Sequence, residues 1–491
     1  MANNFKNDDS FLRKLAVGAA GTNETMSRLA ELGFNPIELE RGSTGFKIWK
    51  KIKIKRVRVP DILCLNTGLR FESRGKTKLE ISMSHSKNDP KRTWDAGMRD
   101  DDIVSIVQFA QSDYSPIDIK RISPIHFIKV SDLREAFDKN QVSITQPKGV
   151  EEGSEIRVVW ISAVANQDSI VEEVDSNKIT LKPHTGARRQ RVRLDRQNGR
   201  IKLIPQVQPG NEVCSNQIVA SVVPLLTKLT CPKPVLEDYF IEKLGSMNLS
   251  ERYAAAKALR YKGYQKAETN LRERLNDKEE DIYVQLEAAA ALAAYDDEKA
   301  WDFIEGKLRK SALEIPLETQ LETIIVASEI DKKRSEQLLI HVLQDSSRDE
   351  ELRAGAAWAL GQFVTKTSAA ALVDTFNNTP VDIKIEAARA LMRIANPQVD
   401  YLTNLLKISL PEKRDGISWV LARTGNFNPA DIALNADENL RQWLSYIVGY
   451  GKDKFSTQDI AELCKKDGGV YFAASVLWQI VSSWIHELKE Y

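Results

Sequence analysis

Two acids and a group of bases lie close together early in the chain. Asp61 follows Pro60 and opens the apolar run Asp61-Ile62-Leu63-Cys64-Leu65, and Glu72 lies in the next run, Leu69–Arg74. Arg74, Lys76 and Lys78 come shortly after. Two carboxylates on adjacent strands with a base nearby can hold Mg²⁺, or Mn²⁺ in its place, against a phosphodiester and activate a water. The expected metal ligands are Asp61 and Glu72, with Arg74 and Lys76 completing the catalytic set. Two surface acids in an ordinary β-meander have the same spacing, so both readings stand on the residues alone.

Several elements must position these groups. Residues 10–34 carry a helical apolar stripe that Gly18 and Gly21 interrupt, which predicts two short helices, the second closed by Gly33. Pro36–Glu40 reads as a strand, and residues 46–59 alternate bases with Ile, Trp or Val, predicting a strand pair with one cationic face. Lys51, Lys53, Lys55, Arg56 and Arg58 lie on that face as candidate nucleic-acid contacts. Strands follow at 61–65, 69–74 and 78–84. The apolar group Ile103–Phe109 predicts a closing helix, with Asp100, Asp101 and Asp102 at its N-terminus. Residues 1–121 thus make an α/β domain.

The early helix ending in Leu-Gly-Phe, the strand Ile-Glu-Leu-Glu, Pro60-Asp61 and Glu72 together resemble the PD-(D/E)xK fold of restriction-type endonucleases. The resemblance covers about a quarter of the chain and implies Mg²⁺ on Asp61 and Glu72. It also implies a lysine two residues beyond Glu72, where this chain has Arg74. Arginine cannot act as a base but can hold a phosphate or water. Lys76 or Lys78 is then the residue to reach in, and Glu24 or Glu31 the extra acid that some members carry.

Residues 122–232 change character. Short strands at 125–130 and 142–145 flank a helix at 131–139. Five more strands follow between 154 and 205, with Asn198-Gly199 as a hairpin signal. Strands this short and close predict a small barrel of SH3-like or OB-like kind. Its hairpin 187–202 carries Arg188, Arg189, Arg191, Arg193 and Arg200 almost without aromatic residues, which suits a phosphate track better than base stacking and equally suits an acidic protein partner.

From residue 233 to 491 Ala, Leu, Glu and Lys take over. A small-residue signature recurs in Arg252–Leu259, Leu286–Leu292, Leu352–Leu360 and Ile385–Leu391, with closing leucines 33, 68 and 31 residues apart. A weak copy at Leu321–Ser328 fills the double interval, and degenerate copies follow at 417–421, 440–450 and 472–480. Small residues at that period mean closely stacked helical hairpins. This part looks like the HEAT-repeat family, an α-solenoid that binds protein partners.

The whole is a multidomain α+β chain: a restriction-endonuclease-like α/β domain, a small barrel-like domain and a HEAT-like solenoid. Its 491 residues carry a net charge of only +1, so any polyanion surface must come from local clustering of bases. Four separated cysteines without a CxxC pair argue against a zinc ribbon and a disulfide framework and fit a reducing cytoplasm. No run reaches the roughly 18 apolar residues of a membrane span. Two functions follow as expectations. One is a metal-dependent nuclease or nickase acting on nucleic acid, with DNA the expected substrate. The other is an inactive DNA-binding adaptor that recruits proteins through its repeats. Restriction-like domains joined to helical repeats resemble components of prokaryotic anti-phage defence complexes.

Overall fold

The computed structural model describes residues 8–39, 57–111, 119–145, 155–196, 199–226, 228–236, 238–262, 265–309, 315–377, 379–425 and 427–487. The described residues divide into two compact units, one up to Arg274 and one from Leu275 onward. The strand pair expected at 46–59 lies almost wholly outside the described residues, and with it Lys51, Lys53, Lys55 and Arg56.

The first unit begins with α1 (Asp8–Glu31), one continuous helix where two were expected. Gly21 faces Gly75 rather than breaking the helix, since a Cβ there would stand 2.8 Å from the Gly75 nitrogen. The glycine serves close approach. The first sheet contains β1 (Pro36–Glu38), β2 (Ile62–Cys64), β3 (Arg70–Lys76), β5 (Ile103–Gln111), β6 (Ile119–Arg121) and β7 (His126–Lys129). Its order is β1-β2-β3-β5, and β5 pairs with both β6 and β7 at its far edge. All pairings are antiparallel except β3–β5.

β5 corrects the expected closing helix. Its run Ile-Val-Ser-Ile-Val-Gln-Phe is buried on both faces, so it lacks the alternation that marks a half-buried strand. Asp102 accordingly precedes a strand, where its carboxylate meets Arg70. On one side of the sheet α1 packs over Phe71, Ser73 and Gly75, with the Thr25 hydroxyl 2.9 Å from that of Ser105.

A second sheet has the order β4-β9-β8, from β4 (Ile81–Ser86), β8 (Val142–Thr145) and β9 (Glu155–Trp160), with α2 (Val130–Asp138) between β7 and β8. The pairings β5–β7 and β4–β9 tie residues on either side of position 121 into shared sheets. Short strands follow: β10 (Ser162–Val164), β11 (Ser169–Val174), β12 (Lys178–Pro183), β13 (Gln190–Arg193), β14 (Asp195–Arg196), β15 (Ile201–Lys202), β16 (Ile204–Pro205), β17 (Glu212–Val213) and β18 (Ile218–Ser221).

They form separate sheets β10-β18-β16, β13-β12-β11-β17 and β14-β15, so no closed barrel is present among the described residues. Register shifts at Ala163/Val164 and Val171/Glu173 interrupt the ladders. The apolar residues of these sheets gather into one core with Trp94, Trp160, Val104 and Ile106 instead of filling a barrel of their own. The hairpin signal holds: Gly199 has φ +81° and β14 pairs with β15 around it. This unit also contains α3 (Tyr239–Lys243) and α4 (Leu249–Lys262), and α5 (Glu268–Asn276) runs across the division between units.

The second unit is helical: α6 (Ile282–Ala293), α7 (Glu298–Arg309), α8 (Leu317–Ser328), α9 (Lys333–Gln344), α10 (Glu350–Leu360), α11 (Lys366–Asp374), α12 (Val381–Ile408), α13 (Pro411–Thr424), α14 (Pro429–Ala433), α15 (Glu438–Tyr450), α16 (Thr457–Lys466) and α17 (Gly468–Glu487). The signature segments fall on α4, α6, α10 and α12, the weak copy on α8, and the degenerate copies on α13, α15 and α17. Ala289 to Ala291 and Ala356 to Ala357 are fully buried, as close helix approach requires. Side-chain caps from Asp281, Asp349, Thr365, Asn428, Asp437 and Ser456 set the helix starts. Among the described residues no helix is long and apolar enough to cross a membrane.

Candidate functional site

β2 and β3 run antiparallel with Ile62 opposite Phe71; Asp61 directly precedes this pair on one chain segment and Glu72 directly follows it on the other. Side chains on a strand alternate, which puts Glu72, Arg74 and Lys76 on one face and Phe71, Ser73 and Gly75 on the other. Phe71 belongs to the cluster under α1. Glu72 therefore lies on the face away from α1.

Both acids are buried, Asp61 7% and Glu72 6% exposed. The Ser73 N–H donates to Asp61 Oδ2 at 2.7 Å, and Arg74 Nη2 meets Glu72 Oε1 at 2.5 Å. Arg74 thus holds the second acid directly. Lys76 turns to the second sheet, donating to Ser82 O at 2.9 Å and Ser82 Oγ at 3.0 Å. Burial, with the charges of Arg74 and Arg157 beside it, pulls the Lys76 amine down to about 7. Lys78 is exposed. Glu24 pairs with Arg121 at 3.0 Å, and Glu31 with Arg28 at 2.8 Å. Both sit on α1, which covers the opposite face of the sheet, so neither is the extra acid. Among the described residues no group of three or more His, Cys, Asp or Glu could hold a metal ion.

The expected cationic residues separate by their partners. Arg58 is exposed. Arg189 is engaged with Glu172 through two hydrogen bonds of 2.5 and 2.8 Å. Arg191 and Arg193 point outward from β13 while Val192 between them is buried. Arg188 and Arg200 are likewise exposed.

Several residues gave no signal in the sequence. Arg157 on β9 donates from Nε to Ser82 Oγ at 3.2 Å and pairs with Glu80. Gln108 on β5 lies beside Lys76 in the parallel register and is 5% exposed. Lys257 on α4 is 1% exposed, with its amine 3.4 Å from the Leu39 carbonyl, and Leu39 N–H in turn bonds to the Asp61 carbonyl at 2.7 Å. These contacts join strands and helices far apart in sequence, and nothing local announces them.

The fully buried Arg70–Asp102 pair was also missed. Arg70 Nε and Nη2 reach the carboxylate at 3.0 and 2.6 Å, Nη1 reaches Ser250 Oγ at 2.9 Å, and Nη2 reaches Gly97 O at 3.1 Å. Arg99 extends the network, with Nε 3.1 Å from Asp102 Oδ1 and Nη1 3.3 Å from Glu251 Oε1. Burial raises the Glu251 carboxyl, but bonds from Ser246, Lys243 and Arg99 outweigh it and hold the group down to about 2.

No curated protein matches the sequence. Among solved structures, human deoxyhypusine hydroxylase in complex with glycerol is 16% identical, over 44% of this chain and 84% of that one, with a TM-score of 0.20. The CpcE–CpcF complex of phycocyanin lyase from Nostoc sp. is 20% identical over 50% and 97%, with a TM-score of 0.24. A designed armadillo repeat protein is 14% identical over 43% and 98%, with a TM-score of 0.23. Overlays at this level do not bear on ligand or activity. A family model of HEAT repeats matches residues 237–315 and 316–392. Residues 237–392 of this chain are HEAT repeats.

Proposed function

We propose that the chain is a metal-dependent nuclease or nickase acting on DNA, with its HEAT repeats binding partner proteins. The observation that carries the reading is two buried carboxylates, Asp61 and Glu72, flanking the Ile62–Phe71 pair, with Arg74 on Glu72 and Lys76 further along the same face of β3. Mg²⁺ is usually held by one or two carboxylates together with waters and substrate phosphate, so this donor set fits it. The ion would supply charge neutralisation and a lowered pKa for a bound water. Arg74 fixes the orientation of Glu72, Ser73 N–H fixes that of Asp61, and the amine of Lys76 is poised near neutral pH to give or hold a proton. Exposed Arg188, Arg191, Arg193 and Arg200 supply charge for a phosphate backbone.

The test is cleavage of supercoiled, linear and single-stranded DNA with Mg²⁺ or Mn²⁺, comparing the wild type with Asp61→Asn and Glu72→Gln. Loss of cleavage by about 10² or more in each folded variant is expected, and cleavage that survives both overturns the assignment. The adaptor reading is favoured by one observation, the Arg74 guanidinium occupying the Glu72 carboxylate where a lysine was expected. It holds if no version cuts while all bind DNA with a steep salt dependence.

A further inference from the structure

We infer that Arg157, Lys76 and Ser82 form an anion subsite that takes a phosphate ester at the corner between the two sheets. Strand β3 leaves the first sheet at Lys76, and β4 enters the second sheet at Ile81, so Lys76 stands at the corner between them. Pairing of Ser84 with Arg157 across β4 and β9 brings the arginine to the same corner. Its Nε and the Lys76 amine converge on one hydroxyl, Ser82 Oγ, at 3.2 and 3.0 Å. Ser82 is fully buried, whereas the Arg157 and Arg74 side chains are 43% and 38% exposed, so the cluster is closed behind and open to solvent through its guanidinium groups.

Charge counting singles out the lysine. From β3 the corner receives Arg74 and Glu72, which pair with each other, and Asp61, just before β2, accepts from the Ser73 N–H on β3. Glu80, just before β4, pairs with Arg157 from β9. From β5 comes only the neutral Gln108. Lys76 is the cation with no acid partner among the described residues, held by neutral acceptors in a site that penalises its charge. An arriving phosphate would supply the missing negative charge. Arg157 brings the planar fork that matches phosphate oxygens. Choosing a phosphate ester over other oxyanions rests on the nuclease reading, while the subsite itself does not.

Because an anion favours the charged amine, binding should take up a proton when the pH lies above about 7, and affinity should fall as the pH rises through that value. The experiment titrates the full-length protein calorimetrically at pH 6 and 8.5, in buffers of different ionisation enthalpy. The two probes are inorganic phosphate and a short single-stranded oligonucleotide. Net proton uptake at pH 8.5 is expected, with Arg157→Gln weakening binding at least tenfold and Lys76→Met abolishing the uptake. Ser82→Ala, which removes only the hydroxyl, should weaken binding less and serves if either larger change unfolds the corner; hydrogen exchange of β4 and β9 reports folding. Tighter binding of the oligonucleotide than of phosphate assigns the site to a nucleic-acid backbone, and the reverse order assigns it to a free phosphate. Unchanged binding in folded Arg157→Gln and Lys76→Met, or no phosphate-dependent heat at pH 6, overturns the subsite. Proton-linked binding without DNA cleavage leaves the subsite standing and removes only the nuclease.

Discussion

Replacing Arg70 by leucine tests whether the candidate site depends on the buried ion pair behind it. Arg70 is two residues from Glu72 on β3 and its partner Asp102 directly precedes β5, so the pair fastens the parallel β3–β5 register. Both side chains are 1% exposed or less. Removing one partner of such a pair typically costs about 3–5 kcal/mol, because the remaining charge stays buried. Asp102 would keep the Arg99 backbone N–H at 2.6 Å and Arg99 Nε at 3.1 Å, which places the expected loss near the lower end, about 3 kcal/mol. At about 1.4 kcal/mol per decade this is roughly a hundredfold loss of protection. Hydrogen exchange read by mass spectrometry on β3 and β5 peptides measures it, with α8 and α9 peptides as internal reference. The double change Arg70→Leu with Asp102→Leu should recover much of the loss, since no uncompensated charge then remains. A loss below tenfold in the single variant, or a double variant no better than the single, refutes the reasoning.

Gly75→Ala would set a Cβ 2.1 Å from the Val17 carbonyl oxygen, so α1 must move, and a loss of about 1–3 kcal/mol in chemical denaturation is expected. Glu251 is held well below its ordinary value, to about 2, so its contribution is present above about 4.5 and lost as the pH falls from there towards 2. Glu251→Gln should flatten that acid limb of the stability profile and leave its neutral part with a similar slope. Neutralising Arg191, Arg193 and Arg200 together should make the slope of log K against log salt for duplex DNA shallower by up to about 0.9 for each phosphate they no longer neutralise. An unchanged slope would remove these arginines from the nucleic-acid surface.

The solenoid was legible because its signal is periodic and local. Each small-residue segment, from Arg252–Leu259 to Ile385–Leu391, lies on a helix, and burial of Ala289 and Ala356 follows from the same pattern. The strands bearing Asp61 and Glu72 were legible from alternation and turn residues, and their antiparallel pairing follows from the short connection between them. Three features were not. β5 hid its type by being apolar on both faces, and Gly18 and Gly21 mimicked a break in what is one helix. Strands short enough for a barrel instead shared a core with the neighbouring sheet, because ladder interruptions leave no sign in composition. Arg157 and Lys257 depend on partners far along the chain, and a one-dimensional pattern carries no information on those.

The HEAT-repeat match begins at residue 237, yet the first helices it covers belong to the unit that holds the acid pair. Ser250 at the start of α4 accepts from Arg70 and donates to the Gly97 carbonyl at 2.8 Å, while Glu251 meets Arg99 and Lys243. The Tyr239 ring fills the space over Gly68, where a Cβ would stand 2.5 Å from it. These contacts are buried or half-buried, polar and directional, so they specify one arrangement of the hairpin on the sheet more sharply than apolar packing alone. The start of the helical array is therefore part of the core that positions Asp61 and Glu72, and the boundary drawn by sequence character, strands before about 233 and helices after, is not the boundary of the fold.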